Sequence, residues 1–403
     1  MHRPSPCVLL LLAALCACSE DRGSGSSFAA RDSAGIRIAE NGAGTGAAWT
    51  VSAAPTVEIG TFEGEPAYQL YQAVSAARLG DGRIVVANGG TKEVRYYGPD
   101  GRHLKSVGGD GEGPGEFRSI HWVGALPGDS VAAWDPIQKR ITVLDPRGGV
   151  ARMSKTTAIP GMVPQVRGVL ADGSLVLTSG FNTAAMMGER GVRRDTATYL
   201  RVGRDGSVRD TLGRFPGMEN YVDMNKEGGS TNFTVRQLPF GRQAVAAGGG
   251  ERLYVGTGEA GYEVRVYRAD GALERIVRRA HQPLPVTPED IAEYKRTLVT
   301  YGLDANARRQ YDRSLDAMPY PATMPPYVDM LVDAGGSLWV EDARRPADPQ
   351  PSWTVFDAEG KVLATVRLPD RLNLQAAGPD WVLGTFRDDD EIEHVRVYGL
   401  RRG

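Results

Sequence analysis

Residues 94–101 read VRYYGPDG, a β-branched and aromatic run that ends in a Pro-Asp-Gly turn. Side chains of this kind favour a strand, and the turn reverses it, because Asp hydrogen-bonds its own backbone and Gly accepts positive φ. The pattern returns as 141-ITVLDPRG-148, 199-YLRVGRDG-206, 264-VRVYRADG-271, 353-WTVFDAEG-360 and 395-VRVYGLRRG-403. A second turn and strand precede each copy, from 80-GDGRIVVAN-88 to 378-GPDWVLGT-385. A further strand, such as 102-RHLKSVG-108, follows the first five copies, and a short apolar strand such as 73-AVSAARL-79 opens the unit.

Six tandem units of four antiparallel strands predict an all-β fold, a six-bladed β-propeller. The sixth unit lacks its fourth strand. The segment 49-WTVSAAPTVEIGT-61 is expected to supply it, which removes an edge that would otherwise pair with other chains. The stretch 35-GIRIAE-40 is a candidate for one more short strand.

Composition fits this reading. Apolar residues make up 41% of the chain, enough for a core, and 51 glycines suit many turns. The net charge is −2 and no long basic block exists, which argues against nucleic acid as a partner. All three cysteines, Cys7, Cys16 and Cys18, lie near the start, so the folded part has no disulfide or thiolate chemistry. Arg3 and the run 8-VLLLLAAL-15 form a targeting segment too short to span a bilayer. Residues 19–35 are small and polar, the composition of a tether.

Two resemblances sharpen the picture. The stretch 15-LCAC-18 resembles the lipobox of bacterial lipoproteins. That implies cleavage before Cys18, a lipid on Cys18, and a cell-envelope location, periplasmic or outer-membrane. Residues 81–117 resemble an NHL repeat in their D-G turn, their V-V-A-N strand, their P-D-G turn and the closing G-x-G-x-G-P-G-E-F. The chain as a whole is similar to bacterial six-bladed, TolB-like propeller lipoproteins of uncharacterised function. It departs from the NHL pattern where Gly90 and Thr91 replace an asparagine-histidine pair. The expected organisation is a signal peptide over 1–17, a tether over 18–34 and the propeller over 35–403, with a helical insertion at 281–326.

The glycine-rich 108-GGDGEGPGEF-117 lacks the G-K-[ST] of a phosphate loop and the D-x-D-x-D-G of a calcium loop. It is expected to carry the chain from the first unit to the second, with Phe117 as an anchor. The long connections, 180–197, 214–242, 281–326, 343–352 and 387–393, all map to one face. Function concentrates on such loops. In the insertion, Thr287, Pro288, Glu289 and Asp290 announce a helix start, with Ile291, Tyr294, Leu298 and Tyr301 on one face and Gly302 as its stop. A second helix from Asp304 places Ala307, Tyr311, Leu315 and Met318 on one stripe.

The first residues of the inner strands are expected to ring the channel mouth on that face. They are Tyr71 and Gln72, Ser119 and His121, Gln165 and Arg167, Arg242 and Gln243, Tyr327 and Asp329, and Asn373 and Gln375. From this ring Tyr71, His121, Arg167, Arg242, Tyr327, Asp329 and Gln375 are the binding candidates, with His121 across the axis from Asp329. One carboxylate with amides is thin for calcium, and four scattered histidines (103, 121, 281, 394) are thin for zinc, so no metal or cofactor is expected. No catalytic set stands out. The expected role is a monomeric binding module for an envelope protein, peptide or glycan. The competing expectation is a lactonase- or lyase-like hydrolase at the channel mouth.

Overall fold

A computed structural model describes residues 28–403 except 45, 157–158, 162, 181–189, 228–229 and 299–303. The Asp-Gly turns close hairpins by one repeated device. At 98–102, Asp100 Oδ1 accepts the Arg102 N–H at 3.1 Å, Gly98 N–H donates to Arg102 O at 2.8 Å, and Gly101 sits at φ +82°. The register slips between Tyr96 and Tyr97 just before the turn. The same slip precedes the turns that follow Leu144, Val202, Tyr267 and Phe356. A bulge of this kind adds twist, which lets flat four-stranded units splay around a centre.

The units are antiparallel meanders. The first comprises Ala73–Arg78, Ile84–Asn88, Glu93–Tyr97 and His103–Gly108. The second comprises Trp122–Ala125, Val131–Asp135, Arg140–Leu144 and Val150–Lys155. The third runs Gln165–Val169, Leu175–Thr178, Gly191–Val202 and Val208–Glu227, and the fourth Val245–Gly249, Arg252–Gly256, Glu263–Arg268 and Leu273–Arg279. Tyr327–Val332, Leu338–Asp342, Ser352–Phe356 and Val362–Arg367 make the fifth. Asn373–Ala377, Trp381–Arg387 and Glu393–Arg401 make the last.

Apolar clusters join each unit to the next. Val85, Val94 and Tyr96 pack with Val123, Val131 and Leu144, for example, and Phe117 is fully buried among them. Ala76, Ile84, Val86 and Tyr97 of the first unit pack in turn with Leu383, Val395 and Val397 of the last. The arrangement is all-β and propeller-like.

The segment before residue 60 runs along outer edges. Ile36–Asn41 pairs in parallel with Leu273–Arg279, and Ala47–Val51 pairs in parallel with Val362–Arg367. Val57–Ile59 pairs antiparallel with residues 395–397. The strand expected over 49–61 is interrupted: Trp49 pairs with the fifth unit, whereas Thr50 and Val51 pair with Arg401 and Leu400 of the last unit, which residues 57–59 then join. Phe28–Ser33, expected within the tether, is a strand on Ile36–Asn41. Cys18 and the signal segment lie outside the described residues.

The connector 214–242 is not a loop. Val208–Glu227 continues past its meander and pairs with both Gly191–Val202 and Ser230–Gln237, forming a three-stranded ribbon. Pro216 is tolerated inside it beside a register slip between Arg194 and Thr196. The insertion carries helices α1 (Pro288–Thr297) and α2 (Ala305–Asp316). Thr287 and Asp290 form a reciprocal capping box at the start of α1. Tyr301 and Gly302 fall outside the described residues. Leu315 and Met318 pack on Tyr221 and Leu238 of the ribbon, with Leu298, Tyr311 and Tyr320 around them. Phe240 meets Tyr294 edge-on at 5.7 Å, and the Arg236 guanidinium lies 4.6 Å from the Tyr311 ring centre.

Asn41 fastens the edge segment where it crosses between units. Its Nδ2 donates to Arg278 O at 3.0 Å and Gly360 O at 2.9 Å, and its Oδ1 accepts the Val362 N–H at 2.9 Å. It is 4% exposed. Asn41→Leu strands these three backbone groups and should cost about 2–4 kcal/mol, seen as a lower urea midpoint at unchanged slope. A midpoint equal to wild type would contradict this account.

Candidate functional site

The opening strands of all six units contribute to the wall of one central cavity of about 670 Å³. Much of that wall is backbone, because glycines 168, 248 and 249 bring neighbouring strands close. A Cβ on Gly168 would sit 2.0 Å from Gly248 O, and its φ is +144°. The informative side chains are Arg78, Trp122, Arg167, Asp329, Gln375 and Trp381.

Of the seven binding candidates named from sequence, Arg167, Asp329 and Gln375 line this cavity, and the other four do not. Tyr71 is 65% exposed and rests against the Gly89-Gly90 turn. His121 is also exposed, with partial desolvation lowering its imidazole and Asp135 acting in the opposite direction. Arg242 is held by Glu219, with side-chain contacts of 2.9 and 2.6 Å. Tyr327 is buried in the packing between two units, where its hydroxyl donates to Glu263 O at 2.7 Å. Among their neighbours, Gln165 Oε1 accepts from Arg167 at 2.5 Å and Gln243 Nε2 donates to Val328 O at 3.2 Å.

Tyr71, His121 and Arg242 precede the strands, which begin at Ala73, Trp122 and Val245, and Tyr327 turns into the packing between units. Trp122 was legible only as part of an apolar run. Its ring folds back over Gly124, where a Cβ would lie 2.2 Å from it. Arg78 and Trp381 come from strand ends beside the tight turns, with the guanidinium 5.0 Å from the Trp381 ring centre.

The charges are uneven. Among the described residues neither Arg78 nor Arg167 forms an ion pair, although Arg167 is near enough to act on the Asp329 carboxyl, and Arg167 Nε is closed from solvent without a hydrogen bond. Asp333, also in the wall, is fully engaged by Trp339 Nε1 at 3.0 Å and the N–H groups of Gly335 and Ser337. Asp329 faces Glu341 in register on the next strand. Burial raises the Asp329 carboxyl, opposed by the Met330 N–H and by Arg167. Glu341 is raised too, by burial first and then by its acidic neighbours, against the pull of Arg344, with which it is ion-paired.

Among the described residues, no group of three or more His, Cys, Asp or Glu could hold a metal ion. The run 388-DDDE-391 forms a hairpin tip, where Asp388 meets His394 at 3.1 Å and Asp389 meets Arg371 at 2.7 Å. No helix among the described residues is long and apolar enough to cross a membrane.

No protein-family model and no curated protein matches the chain. Solved structures do. One is a Bacteroides fragilis protein described as exported, at 12% identity and TM-score 0.46, covering 89% of this chain and 100% of that one. Another is a gluconolactonase from Xanthomonas campestris, at 13% identity and TM-score 0.40, covering 86% and 99%. A third is virginiamycin B lyase from Staphylococcus aureus, at 9% identity and TM-score 0.38, covering 85% and 97%.

A carboxyl raised by the fold has a defined linkage sign. Its contribution to stability is full below the unfolded-state value and is lost as pH rises through the folded-state value. Asp329→Asn keeps an acceptor for Met330 N–H and cannot ionise. Its melting temperature should exceed wild type at about pH 7, with the gap closing toward about pH 4. A gap that widens on acidification would refute the assignment.

Proposed function

We propose that the chain is a six-bladed, NHL-type β-propeller lipoprotein, closed by Val57–Ile59 and tethered to the bacterial envelope through Cys18, that acts as a binding module. The cyclic order of the apolar clusters supports the ring, and the antiparallel pairing of residues 57–59 with 395–397 supports the closure. The lipobox-like LCAC supports the anchor.

One observation carries the binding role. The ribbon of residues 191–237 and the helical insertion form a single packed body instead of separate loops. Arg345 of the 343–352 loop ion-pairs with Asp290, the capping residue of α1, and joins a second connection to that body. Stability alone does not require such a structure, since long surface insertions cost little as loops. A preorganised surface lowers the ordering cost of capturing a protein, peptide or glycan.

Pro285 and Thr323 are bridge partners, so a short Gly-Ser link can replace residues 286–322 without moving the units. The shortened chain should melt cooperatively near the wild-type temperature and lose capture of an envelope component in pull-downs from envelope extract. Equal recovery by both chains would sink the binding reading.

The second reading, a lactonase- or lyase-like hydrolase, is favoured by the Asp329–Glu341 juxtaposition. Burial raises both carboxyls, and a carboxyl shifted upward is better matched to proton transfer than an unperturbed one. This reading expects turnover of a lactone or ester panel, with kcat reduced about 100-fold or more in Asp329→Asn. Turnover that survives the substitution would exclude Asp329 from the chemistry.

A further inference from the structure

We propose that the central cavity is a binding site for a small hydroxylated carboxylate of the uronic-acid class, anchored by Arg167. This is separate from the ribbon-and-helix surface and does not depend on it.

The charge inside the cavity carries the inference. Two guanidiniums, Arg78 and Arg167, enter the wall; Arg78 lies over Trp381, and Arg167 acts on Asp329 without an ion pair among the described residues. The carboxylate of Asp333 is consumed by three hydrogen bonds and by Arg402 at 3.5 Å. Arg167 lines the cavity and gives a single hydrogen bond from its guanidinium, to Gln165. A guanidinium presents paired donors whose spacing matches a carboxylate. The cavity therefore favours a ligand with a carboxylate.

The remaining groups define the rest of that ligand. Asp329 and Gln375 also line the cavity and have no side-chain partner among the described residues. A carboxyl that burial holds toward its neutral form suits hydroxyl groups better than an ammonium. Trp122 lies folded back over Gly124, and Trp381 is backed by Gly378 and covered by Arg78. The Trp122 indole supplies an apolar surface of the kind that packs on the C–H face of a ring. A cavity of about 670 Å³ has room for one or two sugar units. A carboxylate, several hydroxyls and a ring face together describe a uronic acid.

Isothermal titration of the purified full chain with D-glucuronate, D-glucose and glycine tests this. Glucuronate should bind with one site per chain. Glucose lacks the carboxylate and glycine lacks the hydroxyls and ring face, so each should bind at least about tenfold more weakly. Arg167→Gln should lose about tenfold or more for glucuronate and leave glucose unchanged. Should that variant fail to melt cooperatively, Arg167→Lys keeps the charge but not the paired donors, and an intermediate loss is expected. Absence of glucuronate binding overturns the proposal, as does equal affinity for glucose, preference for glycine, or wild-type affinity in both Arg167 variants. The chain shortened at 286–322 should bind glucuronate normally, which separates this site from envelope capture.

Discussion

Each strand unit here is apolar on both faces, and that constraint governs the rest of the molecule. A sheet with two apolar faces needs two neighbours. Five units find them in sequence, and the last finds its second neighbour only in the first, through Leu383, Val395 and Val397 against Ile84, Val86 and Tyr97. The outer edges then need cover, because unpaired strand edges recruit other chains. The segment from residue 36 to 59 supplies it along three successive units, and Asn41 satisfies the backbone at one crossing. Packing sets the order of the units, and hydrogen bonding along their rims holds it.

The same constraint explains the character of the centre. Apolar side chains on the opening strands are drawn into the clusters between units, as Met330 and Val166 are. The cavity wall then combines backbone, glycine and small or edge-on apolar residues with a few polar groups. Charges placed there have few partners, so Arg78, Arg167 and Asp329 stand apart from the many surface ion pairs. Exposed ion pairs contribute little to stability, whereas isolated charges in a recess define what fits beside them.

The helical insertion was legible in detail at its start, because a capping box is local chemistry among Thr287, Pro288 and Asp290. The ribbon was not. Pro216, Gly217 and the polar run after Tyr221 read as loop, and an extended strand there depends on its partners 191–202 and 230–237. Likewise, of the seven residues expected around the channel, Arg167, Asp329 and Gln375 line the cavity and four lie elsewhere. Its register turns on bulges, such as that between Ala73 and Ser75, which leave no mark in composition.

Sequence by itself determined the strand class and the Asp-Gly turns, since these rest on residue type and spacing within a few positions. It also named Arg167 and Asp329. Tertiary structure alone decided that residues 47–51 bridge the fifth and last units before 57–59 join the last, that Trp122, Arg78 and Trp381 join the cavity, and that the ribbon and α1–α2 form one body. The physical reason is range. Turns and strands are selected by neighbours in sequence, whereas strand partners, bulges and cavity walls are selected by groups hundreds of residues away.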